Sequence, residues 1–134
     1  MNVDDIVFLD VDEVIELHAS QLELFGGGAG LRDQGLLESA VAQPQASFGG
    51  HLAHDGLFAM AAAYLFHLVS NHPFVDGNKR IGLIAALVFL DLNGVSIAHP
   101  TEALYELTMG VAEGRINKAA VAAELERVAK SRGT

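Results

Sequence analysis

The chain has 134 residues, no cysteine and a formal net charge of -9. This length favours a single domain over residues 1–134, and 51% hydrophobic residues are enough for one core. The acidic balance disfavours direct nucleic-acid binding by this chain alone, because such binding depends on cations that neutralise phosphates. With no cysteine, disulfides and thiolate metal sites are excluded. No apolar run approaches the roughly 18 residues of a membrane span, and no basic leader is visible, so we expect a cytoplasmic protein that does not bind membranes.

The first predicted elements are a short strand and a helix. The apolar run Ile6-Val-Phe-Leu9 is typical of a strand. Asp10 and Glu13 then have the spacing of a capping box, which predicts a helix through about Phe25. Gly26-Gly-Gly28 ends it.

A second short helix and a glycine-containing loop follow. Asp33 is a candidate N-cap for a helix over residues 34–42, which Pro44 closes. Residues 45–55, called the flap below, include Ser47-Phe-Gly-Gly50. Since glycine permits turns that other residues resist, this segment predicts a mobile loop or a small β-hairpin.

Two long apolar helices form the middle of the chain. The first is predicted from Asp55 to Asn71 or His72, because Pro73 disfavours helical geometry in the residue before it. Its apolar residues recur at three- and four-residue steps: Leu57, Met60, Ala61, Tyr64, Leu65 and Leu68. The second begins near Asn78, ends at Gly94 and is apolar on nearly every side, which predicts the central, buried helix of the domain.

The last predicted elements are helices over residues 101–112 and 118–129, the latter capped by Asn117. The sequence as a whole therefore predicts an all-α helical bundle with a short flap near residues 45–55.

One loop concentrates polar chemistry between the two long helices. It reads His72-Pro-Phe-Val-Asp-Gly-Asn-Lys-Arg80, and it holds the only cations between Arg32 and Arg115. The free N–H groups and the dipole at the start of the next helix attract anions. Cations at this end are unfavourable by roughly 0.3–1 kcal/mol each unless a polyanion binds there. The loop therefore has the composition of a phosphate site.

Each polar residue of the loop has a plausible role in such a site. Arg80 can bind two phosphate oxygens, Lys79 supplies a point charge and Gly77 allows the backbone to approach. Asp76 offers the hard oxygen that Mg²⁺ prefers. Histidine is the usual general base for a hydroxyl nucleophile, which makes His72 the candidate.

Loops between helices also contain Pro, Asp, Gly and Asn merely to turn the chain, and residue chemistry alone leaves both interpretations open. The glycine spacings in this chain do not match a P-loop, so that type of nucleotide cradle is absent.

The nine-residue loop resembles the signature H-x-F-x-[DE]-G-N-[GK]-R of the Fic/death-on-curing superfamily. Similarity to the death-on-curing branch extends over roughly residues 13–115, through three further segments: Gly35-Leu-Leu-Glu-Ser-Ala40 with Pro44, the pair Gly49-Gly50, and Leu90 to Gly94. The resemblance implies a Fic/Doc-like helical bundle. It also implies transfer of a nucleotide-derived group to a hydroxyl on a target protein.

Two positions separate phosphate transfer from AMP transfer within this resemblance. AMP-transferring relatives have glycine where this chain has Lys79, and a second arginine where it has Leu83. A different clamp changes which phosphorus lies in line with the attacking hydroxyl. The resemblance therefore favours a kinase-like toxin, with AMP transfer or a non-catalytic nucleotide- or partner-binding module as the alternatives.

The resemblance also assigns roles by position. His72 would be the base, acting with Lys79 and Arg80 in catalysis, and Asp76 would bind Mg²⁺. The cradle for ATP or another nucleoside triphosphate would be Gly77, Asn78, Lys79 and Arg80. Target docking would fall to five flap residues: Ser47, Phe48, Gly49, Gly50 and His51.

The resemblance further implies two protein partners. The expected target is elongation factor Tu, with arrest of translation as the outcome. No S/T-x-x-x-E-[GN] inhibitory motif is present, so restraint is expected from a separate antitoxin whose disordered segment folds onto the toxin.

The remaining histidines have simpler interpretations. His18 and His67 lie on predicted helices and are expected to pack, while His51 and His54 are expected in a solvated or target-facing loop rather than as a metal pair.

Overall fold

The computed structural model describes residues 5–97 and 102–131, which form helices and one small hairpin. A 3-10 turn over Gln43–Gln45 precedes the antiparallel strands β1 (Ser47–Phe48) and β2 (His51–Leu52), with Ser47 opposite Leu52. The helices are α1 (Val11–Phe25), α2 (Gln34–Ala42), α3 (Leu57–Asn71), α4 (Asn78–Leu92), α5 (Glu102–Ala112) and α6 (Lys118–Ser131). The predicted all-α fold with a flap is confirmed. The predicted first residue of α5, at position 101, lies outside the described ranges.

Local side-chain caps explain where α1, α2 and α6 begin. The Asp10 carboxylate accepts a hydrogen bond of 2.8 Å from the Glu13 N–H, and the Glu13 carboxylate accepts one of 3.1 Å from the Asp10 N–H. Asp33 caps α2 through the Leu36 N–H, and the Asn117 side chain accepts from the first turn of α6. Such caps satisfy N–H groups that have no acceptor within the helix, so these boundaries follow from neighbouring residues.

The centre of the bundle is α3, and the prediction that α4 is the central helix was wrong. α3 contacts α2, α4, α5 and α6, whereas α4 lies against α1, α3 and α5. α3 and α4 approach closely at Gly82, where an added Cβ would lie 2.6 Å from a Val69 methyl group and 3.1 Å from the Leu65 carbonyl oxygen. None of the described helices is long and apolar enough to cross a bilayer.

Residues 6–9 form no strand, contrary to the sequence-based prediction. The backbone groups of Val7 and Leu9 pair with side chains instead of with a neighbouring strand. The Tyr64 hydroxyl accepts from the Leu9 N–H at 2.8 Å and donates to the Leu9 carbonyl at 3.2 Å. Asn93 pairs in the same way with both backbone groups of Val7, at 2.9 Å each. The apolar run therefore packs on the core as a segment without regular secondary structure.

We expect Tyr64→Phe to lower the free energy of unfolding by about 1–3 kcal/mol, because it leaves two buried backbone groups of Leu9 without partners. Tyr64 is fully buried, and burial raises the pKa of its hydroxyl to about 12. Urea denaturation measures the loss. Tyr105→Phe is the matched control, since Tyr105 is 54% exposed. Equal stability of the two variants would contradict this role of the hydroxyl.

Candidate functional site

The loop between α3 and α4 is held in shape by hydrogen bonds between one of its side chains and its own backbone. Phe74 is buried, and the Asn78 side chain spans the turn. Its amide oxygen accepts from the Phe74 N–H and its amide nitrogen donates to the Phe74 carbonyl, each at 3.0 Å. The Asn78 side chain is therefore engaged with the loop backbone, and its own backbone N–H lies in the first turn of α4.

Asp76 lies in this loop with both carboxylate oxygens facing backbone N–H groups. One oxygen accepts from Gly77 at 2.8 Å and the other from Gly28, beyond the end of α1, at 3.2 Å. These two bonds hold the pKa of the carboxyl below its usual range, and the charges of Arg80 and Lys79 act in the same direction. Asp76 is therefore anionic at neutral pH and remains exposed.

A cavity of about 400 Å³ brings the predicted catalytic residues together. Its lining comprises Phe25, Gly26, Gly27, His72, Val75, Asp76, Gly77, Asn78, Lys79 and Arg80. A histidine, a carboxylate and two cations thus share one opening at the N-terminus of α4. The Arg80 guanidinium lies over the Phe25 ring, 4.9 Å from its centroid, which fixes the direction of the cation by a cation–π contact.

A larger cavity of about 820 Å³ lies between α5 and α6, away from this loop. Its lining includes Tyr105, Met109 and Ile116, with carboxylates at the margin. Size alone does not identify a catalytic site; convergent acid, base and cationic groups do. The smaller cavity is therefore the candidate active site.

His18 supports the site from α1. Its ring stacks on Phe74 with 3.7 Å between centroids and 8° between planes. Its Nε2 lies 2.7 Å from the Asp76 carbonyl oxygen, and it must donate there because a carbonyl only accepts. The sequence-based expectation of packing is confirmed, with an additional role in holding the Asp76 backbone.

The glycine segment after α1 forms one wall of the site. From the sequence, this segment was interpreted only as the end of the helix. At Gly27, with φ +121°, an added Cβ would lie 2.9 Å from an Asp76 carboxylate oxygen. The sequence did contain a signal for this second role, because positions 26–30 hold four glycines, more than a helix end requires. Phe25 and Arg32 gave no such signal, because their contacts with the loop join residues 40 or more positions apart.

The flap and Leu83 lie outside this cavity. None of the five flap residues predicted to dock a target is among its lining residues. Phe48 is nevertheless 75% exposed on the hairpin, and Leu83 is buried in the core.

Two histidines beyond the motif, His54 and His67, form a separate cluster with Lys118 at the base of the flap. Lys118 Nζ lies 2.8 Å from His54 Nε2 and 2.9 Å from His67 Nε2, so the ammonium donates to two neutral rings. Burial, followed by the charge of Lys118, lowers the pKa of both histidines, that of His67 to about 4. The expectation that His54 lies in a solvated loop was wrong, because His54 is 9% exposed and packs towards α6.

We expect this cluster to make the stability of the folded protein depend on pH. A histidine whose folded pKa lies below its unfolded value of 6.5 contributes fully above pH 6.5, and the contribution is lost between pH 6.5 and about 4. Solvent screening of the half-buried ring limits the loss to on the order of 1 kcal/mol. Thermal unfolding across this range, with His67→Gln and the exposed-residue control His51→Gln, measures it. An unchanged pH slope in His67→Gln would contradict the assignment.

Comparison with known proteins gives one family match and two similar proteins. A family model described as the Fic/DOC family matches residues 8–90, a range that contains the whole 72–80 loop. The "Protein kinase doc" of Escherichia phage P1 is 38% identical over 117 residues, or 87% of this chain and 91% of that relative. The "Toxin Doc" of Mycolicibacterium smegmatis is 51% identical over 74 residues, or 55% of this chain and 57% of that relative.

Proposed function

Because this chain belongs to the Fic/DOC family, we propose that it is the toxin of a toxin–antitoxin pair and transfers phosphate from a nucleoside triphosphate to a hydroxyl of a target protein. The observation that carries this proposal is the cavity in which His72, Asp76 and Arg80 converge at the start of α4. The names of the two relatives, a toxin and a protein kinase, support the same reading.

His72 is the base in this proposal. It accepts the proton of the target hydroxyl while the hydroxyl oxygen forms a bond to the γ-phosphorus, and the bond from that phosphorus to the leaving nucleoside diphosphate breaks. Little covalent chemistry is required of the protein, so position and charge dominate the rate. Arg80, Lys79 and the first N–H groups of α4 offset the negative charge of the phosphates.

The residues present fit a Mg²⁺ ion bound together with the nucleotide. Asp76 provides an exposed, ionised carboxylate beside the anion site, and Mg²⁺ is usually held by one or two carboxylates plus phosphate oxygens. When bound, the ion would neutralise phosphate charge. We propose Asp76 as the metal-binding residue, with ATP or another nucleoside triphosphate as co-substrate.

Phosphate transfer is favoured over AMP transfer by two residues. Leu83 is buried, so no cation replaces the second arginine of AMP-transferring relatives at that position. Lys79 is exposed at the mouth of the site, where those relatives have glycine. Both differences alter how a triphosphate is held along α4.

The partners follow from the same family argument. We propose elongation factor Tu as the cytoplasmic target, with arrest of translation as the result, and docking of an extended target segment against the flap. An antitoxin with a disordered segment would restrain the activity. The net charge of -9 favours basic residues in that segment.

The test is to incubate the protein with Mg²⁺, elongation factor Tu and ATP labelled at either the α- or the γ-phosphate, and to measure intact mass and label. Transfer of γ-label with the mass of one phosphate would establish the proposed reaction. Transfer of α-label with the mass of one AMP would replace it by AMP transfer. Tight ATP binding without transfer to this target or to proteins of a lysate would favour a non-catalytic binding module.

A further inference from the structure

No described side chain holds the His72 imidazole in one orientation through a hydrogen bond. Among the described residues, no group hydrogen-bonds this ring, and the residue is exposed. Catalytic bases usually have a third group that fixes the direction of the imidazole. In this chain the backbone of His72 sets the direction of its Cα–Cβ bond, and with it the region that the ring can reach.

That backbone is unusual. His72 has φ 50° and ψ 53°, and it is the only non-glycine residue with positive φ in the described ranges. The left-handed conformation costs a residue with a side chain roughly 1–2 kcal/mol. Such a conformation persists only where surrounding contacts determine it.

Arg32 supplies those contacts. Its Nε donates to the His72 carbonyl oxygen at 2.6 Å and its Nη2 to the Asn71 carbonyl oxygen at 2.9 Å. These are carbonyls at the end of α3, where a helix lacks internal donors and attracts positive charge. The planar guanidinium joins both acceptors at once, which a lysine ammonium on a flexible stem cannot reproduce as rigidly.

The Arg32 backbone is itself tied to the loop. Its N–H and that of Asp33 donate to the Pro73 carbonyl oxygen at 2.7 and 3.0 Å, and the Val75 N–H donates to Gly30 at 3.0 Å. Residues 30–33 thus run beside residues 73–75. The guanidinium is held on the side of the loop where His72 turns.

We propose that Arg32 is a positioning residue that holds His72 in its left-handed conformation and so directs the imidazole into the cavity. Arg32 is not among the residues that line the cavity, so it acts through His72. The proposal rests on the proposed function only in taking His72 as the base.

The kinetic test compares Arg32→Ala and Arg32→Lys with Arg115→Ala, an exposed arginine paired with Glu113 far from the site. We expect Arg32→Ala to lower kcat by about 10- to 100-fold, with KM for ATP changed less than about threefold, because a small misplacement of the base affects the chemical step. Arg32→Lys is expected to retain an intermediate kcat. Millimolar guanidinium ions are expected to restore part of the kcat of Arg32→Ala, and Arg115→Ala to match wild type.

A second measurement does not depend on activity. NMR of the wild type and Arg32→Ala reports the His72 backbone through its Cα shift and its HN–Hα coupling. We expect these to move away from left-handed values in Arg32→Ala and to return with guanidinium ions. Unchanged His72 signals, or a kcat equal to wild type, would overturn the proposal. Altered signals in a protein that transfers nothing would support the positioning role and count against the proposed function instead.

Discussion

We expect His72→Ala to transfer phosphate about 10²- to 10⁴-fold more slowly than wild type, the range that a positioned general base contributes. The affinity for ATP is expected to change little, since the phosphate contacts assigned to Lys79, Arg80 and the start of α4 remain. Intact-mass measurement of the target over time gives the rate, and calorimetry gives the nucleotide affinity.

The fold is expected to tolerate this change. The His72 ring is exposed and has no hydrogen bond within the described residues, so its removal costs no core packing. A melting temperature within a few degrees of wild type would verify this, and growth on expression would show whether toxicity is lost. A folded His72→Ala protein with the wild-type rate would exclude His72 as the base.

We expect Asp76→Asn to lower transfer by about 10²-fold or more at fixed Mg²⁺ and to move the Mg²⁺ midpoint upward, because a neutral amide binds the hard cation weakly. Transfer is measured against Mg²⁺ concentration, with Asp91→Asn as the matched control. Asp91 is exposed at the far end of α4 and offers the same change in charge.

The pH dependence of the Asp76 contribution follows from the lowered pKa of its carboxyl. The pKa of Asp76 lies below its usual range, so its charge is present above the unfolded value of 3.8 and is lost only in stronger acid. Asp76 is therefore not expected to titrate in an assay run between pH 5 and 9. A Mg²⁺ midpoint in Asp76→Asn equal to that of Asp91→Asn would remove Asp76 from the metal site.

The proposal of phosphate transfer over AMP transfer depends on two residues. The sequence identified both residues, but it did not show where their side chains lie in the fold. Lys79 and Leu83 were visible as departures from AMP-transferring relatives. Only the folded chain puts Lys79 at the mouth of the cavity and Leu83 in the core.

The sequence by itself determined the helices and the chemistry of the 72–80 loop, because both depend on residues close together in the chain. Asp10, Asp33 and Asn117 cap helices through N–H groups three positions away, and Pro73 limits α3. These interactions need no distant partner, so their pattern can be read directly.

The tertiary structure decided everything that depends on distant partners. Residues 6–9 have the composition of a strand, yet the backbone groups of Leu9 and Val7 bond to the side chains of Tyr64 and Asn93, and no neighbouring residue signals this. The central position of α3 likewise depends on how whole helices pack. Around the site, Arg32 reaches His72 and Gly28 reaches Asp76 across 40 and 48 positions. The local pattern identified His72 and Asp76, and contacts with distant residues hold the backbone of the first and the carboxylate of the second.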